Sequence, residues 1–76
     1  MLNGETIQFM RFQKGWGQVE LAKRAGISQT LISLMENGSQ EISHESKRRI
    51  LEAFGLDEMD VLKIWNYVNS MKQLNL

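Results

Sequence analysis

Between Gln18 and Gly38 the apolar residues Leu21, Ala22 and Ala25 recur at helical spacing, lose phase at Gly26, and resume as Ile27, Ile32 and Met35. This pattern predicts two short helices joined at a sharp turn. Ser28 is placed to cap the second by offering its hydroxyl to a backbone N–H two or three residues on, and Gly38 can end it in the left-handed conformation. The chain is organised around this pair.

Three further helices follow from the same reading. The first runs from an Asn3 cap to Lys14, with Ile7 and Met10 facing inward and Gly15 stopping it. Trp16 is placed to plug the junction with the second helix, which begins at Gln18 behind Gly17, a cap without a side-chain acceptor. After a loop from Ser39 to Ile42, Ser43 caps a fourth helix whose inner face is Ser46, Ile50, Leu51 and Phe54; Gly55 ends it and Leu56 closes the end. A longer fifth helix spans Asp57 to about Leu74, with Met59 and Leu62 expected to complete the core. Beyond them Ile64, Trp65, Tyr67, Val68, Met71 and Leu74 form a broad apolar face, opposite Lys63, Asn66, Asn69, Ser70, Lys72 and Gln73. Phe9 and Phe12 form a second surplus face on the first helix, and the simplest expectation is that the two surplus faces cover each other, within one chain or across a dimer. The dimer is favoured, because complementary surfaces on so short a chain suit an interface between identical copies.

Seventy-six residues make one small domain with limited burial. The absence of Cys excludes a disulfide frame, and a lone His44 cannot build a zinc site, so neither metal nor cofactor is expected. No apolar run is long enough to span a membrane and no signal-peptide pattern opens the chain, which points to a cytoplasmic protein with no membrane partner. No cluster combines nucleophile, base and oriented partner, which argues against an enzyme. Net charge is zero, but it is uneven: residues 1–49 carry +2 and the remainder −2. The asymmetry has the right sign for a nucleic-acid partner and is small.

The residues Ile7, Met10, Arg11, Lys14-Gly15-Trp16, Gln18, Glu20-Leu21-Ala22, Ala25-Gly26-Ile27-Ser28, Ile32, Glu36-Asn37-Gly38, Ile50 and Phe54-Gly55-Leu56 resemble the helix-turn-helix family of phage Cro proteins and repressors. The resemblance spans most of residues 7–62. It implies an all-α, compact four- to five-helix lambda-repressor-like DNA-binding domain over residues 1–62, with residues 63–76 as a C-terminal helical extension for packing or dimerisation. The third helix would enter the DNA major groove, usually in a symmetric dimer on a palindromic operator. By position in the family pattern, Gln18 would contact phosphate, while Gln29 and Thr30 would read bases, as an amide on adenine and a hydroxyl or methyl can. Ser33 and Leu34 would reach bases or the sugar-phosphate wall, with Leu34 either a reader of thymine methyl groups or an exposed contact for a protein. Leu31 has no clear role of that kind. Ser28, Asn37, His44 and Lys47 complete the implied DNA-binding set, although Asn37 equally suits a helix cap and the basic residues equally suit a solvated face. Arg11 and Glu36 lie where the family often carries a salt bridge between the first helix and the end of the third.

The chain departs from the family pattern after the third helix, where Ser39, Gln40, Glu41 and Ile42 replace the usual basic residues and proline. Lys14, Lys23, Arg24, His44, Lys47 and Arg48 remain as candidate phosphate contacts. The leading function is therefore a sequence-specific transcriptional regulator of Cro-like type, from a phage, prophage or mobile element, binding double-stranded DNA and acting as a repressor. The alternatives are a protein-interaction module of the same fold, partnering a second regulatory protein, and an antitoxin.

Overall fold

The computed structural model describes residues 1–74, the side chain of Leu74 excepted, so that residue's expected place on the apolar face lies outside the described residues. Among the described residues the order is α1 (Gly4–Lys14), α2 (Gln18–Ala25), α3 (Gln29–Glu36), α4 (His44–Phe54) and α5 (Glu58–Leu74), an all-α fold of five helices. Each start is set locally. Asn3 accepts from the Thr6 N–H at 2.9 Å, Ser28 from that of Leu31 at 3.1 Å, and Ser43 from that of Ser46 at 3.0 Å. Asp57 and Asp60 cap α5 reciprocally, each carboxylate accepting the other's backbone N–H, at 2.9 and 3.1 Å. That hydrogen bond from the Asp60 backbone is the chief reason the Asp57 carboxyl titrates below its ordinary range.

Packing puts α2 against both α3 and α4, and α1 against both α3 and α5. The shared core is Ile7, Met10, Leu21, Ala22, Ala25, Ile32, Met35, Ile50, Leu51, Phe54 and Val61. Trp16 stacks on Phe54 at 4.9 Å between ring centres, so it joins the α1–α2 connection to α4, and the Arg24 guanidinium lies 4.4 Å over its ring. Ile42 packs against the core from the loop, which gives that departure from the family pattern a structural reason.

One expectation about the apolar faces is corrected. Met59 does not complete the core; it is 60% exposed, and Val61 is buried in its place. Two residues are about 200° apart around a helix, so the face that buries Val61 and packs Ile64 against the core turns Met59 outward. The surplus faces meet within the chain only in part. Phe9 packs on Tyr67 at 5.6 Å between ring centres, and Glu5 pairs with Lys72 at 2.9 Å, which sets α1 and α5 antiparallel. Phe12, by contrast, stays exposed beneath the Arg11 guanidinium, and Tyr67 and Met71 keep large exposed areas. Ile64, Trp65 and Val68 are half-buried. Among the described residues no helix is long and apolar enough to cross a membrane.

Candidate functional site

The α2–α3 turn is built by two features of the backbone and one distant side chain. Gly26 sits at φ +66°, a left-handed conformation that a residue with a Cβ adopts only with strain, and the Ile27 N–H bonds back to the Ala22 carbonyl at 3.0 Å. Arg49, from α4, donates to the Gly26 carbonyl at 3.3 Å and so clips the turn from outside. Arg49 had no such role in the sequence, because no local spacing relates it to residue 26.

With the turn held, α3 buries Ile32 and Met35 and presents the opposite side. Gln29, Thr30, Ser33 and Leu34 line a shallow hollow of about 350 Å³ together with Gln18 from the start of α2. Five of the nine residues expected to meet DNA are thus brought together. Ser28 and Asn37 bound the same helix, both exposed; Ser28 serves as its N-cap, and the Asn37 side chain accepts the Ser39 N–H at 2.8 Å. His44 and Lys47 do not line this hollow: they border a separate one with Arg48, Leu51, Glu52, Leu56 and Glu58.

The position of Gln18 is set by a buried network. Arg11 and Glu36 form a two-pronged ion pair, with Nε to Oε2 and Nη2 to Oε1 both at 2.8 Å and both side chains almost fully buried. Arg11 also donates from Nη1 to the Trp16 carbonyl at 3.0 Å, and Gln18 Nε2 donates to Glu36 Oε1 at 3.1 Å. The hydrogen bond to Glu36 raises the Arg11 pKa above its ordinary value against the opposing effect of burial. Glu36 is thereby compensated, and the amide of Gln18 is tied to the end of α3. The ion pair was expected; its extension to Gln18 was not.

Gly4 supplies another tie. A Cβ there would sit 2.6 Å from the Met35 carbonyl oxygen and would also strike that of Glu36, so the first turn of α1 can approach the last turn of α3 only as glycine.

The surface electrostatics differ from a simple basic face. Arg24 pairs with Glu20, Lys47 with Glu58, Arg48 with Glu45 and Glu52, and Arg49 with Glu45. With Arg11 and Lys72 also paired, Lys14, Lys23 and Lys63 are the basic side chains without an ion pair among the described residues. Hydrogen bonds from Arg48 and then Arg49 hold the Glu45 carboxyl down to about 2, and the same contact with Glu45 raises Arg48. These exposed pairs are weak enough to exchange for other anions.

Two short helices at a glycine turn, the second offering a polar and apolar face beside the first helix's N-terminus, define a helix-turn-helix protein of the DNA-binding class. The model of a helix-turn-helix domain family matches residues 4–64, and the chain belongs to that family. No curated protein matches the chain.

Proposed function

We propose that this protein is a sequence-specific DNA-binding transcriptional regulator of the Cro and repressor type, from a phage, prophage or mobile element, acting without catalysis in the cytoplasm. The observation that carries this reading is the hollow where Gln18, Gln29, Thr30, Ser33 and Leu34 converge on the exposed side of α3. Bound in a major groove, Gln29 and Thr30 would contact base edges, and Gln18 with the N-terminus of α2 would hold a phosphate. Ser28, Asn37, His44 and Lys47 are proposed as flanking contacts. Residues 1–62 would form the binding domain. Residues 63–76 would contribute Ile64, Trp65, Tyr67, Val68, Met71 and Leu74, with Phe9 and Phe12, to packing and to a homodimer on a palindromic operator. The exposure of Phe12, Tyr67 and Met71 supports the dimer.

Fluorescence anisotropy on the duplex upstream of the protein's own gene, over a salt series, tests the reading. Specific binding that weakens as salt rises is expected, with Gln18→Ala lowering affinity on every sequence and Gln29→Ala relaxing base preference. If neither substitution alters binding, α3 is not the reading helix. A dimeric mass by light scattering at tens of micromolar is expected, and a monomeric one rejects the interface.

A second reading is favoured by one observation: six of the nine basic side chains are already paired with carboxylates. A protein-interaction module or antitoxin, bound to a second regulatory protein through Leu34 or α5, would tolerate that neutrality. Absence of specific DNA binding in the same assay would select it.

A further inference from the structure

We propose that the reading face of α3 selects A·T base pairs through the thymine methyl group, with Leu34 as the side chain that senses it; this rests on the DNA-binding reading above. The hollow formed by Gln18, Gln29, Thr30, Ser33 and Leu34 contains no charged side chain. The one charged residue of α3, Glu36, is buried against Arg11 and turned away from that role. The commonest specific contact to guanine is a bidentate Arg or Lys, and cytosine is read by a carboxylate on its amino group. Neither chemistry is present on this face.

What the face does offer matches one base pair. The Gln29 amide can donate to and accept from adenine together, and Ser33 can bond either way. Thr30 and Leu34 stand four residues apart, one turn on the same side of α3, and both line the hollow, so a threonine methyl and a leucine isobutyl group can together offer a small apolar strip there. The base-edge feature of the major groove that such a strip can bury is the C5-methyl of thymine. Leu34 is 36% exposed in the free protein, leaving apolar area to cover.

The test uses the full chain and two libraries of random duplexes, one with thymine and one with deoxyuridine, which pairs identically and lacks only the methyl group. The thymine library is expected to enrich an A·T-rich half-site. Within that site, deoxyuridine should weaken binding about four-fold for each methyl that Leu34 covers. Leu34→Ala should lose the same factor on the thymine duplex and be indifferent to deoxyuridine, with its helical circular dichroism unchanged. Enrichment of a site that binds equally well with deoxyuridine overturns methyl reading, and a Leu34→Ala protein that keeps the full deoxyuridine penalty overturns Leu34 as its sensor, each while leaving sequence-specific binding intact. Enrichment from neither library overturns the DNA-binding reading itself, and methyl reading with it.

Discussion

Arg11 shows how one side chain can hold a surface it never joins. Its guanidinium satisfies both oxygens of Glu36, caps the chain at Trp16 and shares Glu36 Oε1 with the amide of Gln18. Removing either partner strands a buried charge, so Arg11→Ala and Glu36→Ala are each expected to cost about 3 kcal/mol in urea unfolding, and the double variant much less than the sum. Additive losses in that cycle would mean that the two do not act as a pair. The sequence made this ion pair legible through resemblance alone. It held no sign of Gln18 joining it, since the three residues are 7 to 25 positions apart and only the crossing of α1, α2 and α3 brings them together.

Among the elements, the docking of α1 on α3 depends on a residue without a side chain. Gly→Ala in a helix ordinarily adds up to about 1 kcal/mol of stability. At Gly4 the added methyl meets the Met35 and Glu36 carbonyls, so Gly4→Ala is expected to lower stability by about 1–3 kcal/mol instead, measured as a fall in the thermal midpoint. An unchanged or raised midpoint would show that α1 can shift freely on α3. Helix α4 carries a second consequence. The Glu45 carboxyl falls from its ordinary 4.5 to about 2 in the folded chain, so its contribution to stability is present in full above pH 4.5 and is lost as pH falls through about 2. Side-chain carboxyl resonances should therefore titrate near pH 2 for Glu45, and Glu45→Gln should flatten the acid limb of the stability curve. A Glu45 midpoint near 4.5 would rule out its pairing with Arg48 and Arg49 in solution.

At the scale of the whole molecule, charge is balanced by pairing rather than by scarcity. Nine basic side chains would serve a DNA binder well, yet most face a carboxylate. Glu45→Gln frees Arg48 from one partner and Arg49 from its carboxylate. It is expected to raise DNA affinity at low salt and to steepen the log–log salt dependence by about one unit for each further phosphate that a freed arginine neutralises. An unchanged slope would place α4 away from the phosphates. The α4 pairs were legible as acids and bases three and four residues apart, whereas Lys47–Glu58 and Glu5–Lys72 depend on helices meeting.

The sequence by itself determined the helix-turn-helix and the starts of the helices around it: the caps at Asn3, Ser28 and Ser43, the sharp turn at Gly26 and the outward side of α3 all arise from interactions within a few residues, which spacing records. Only the tertiary structure decided that Val61 rather than Met59 fills the core, that Phe9 is covered by α5 while Phe12 is not, and that Arg49 holds the turn. These depend on the rotation and crossing of helices distant in sequence, and a pattern along one chain does not specify the angle at which two helices meet.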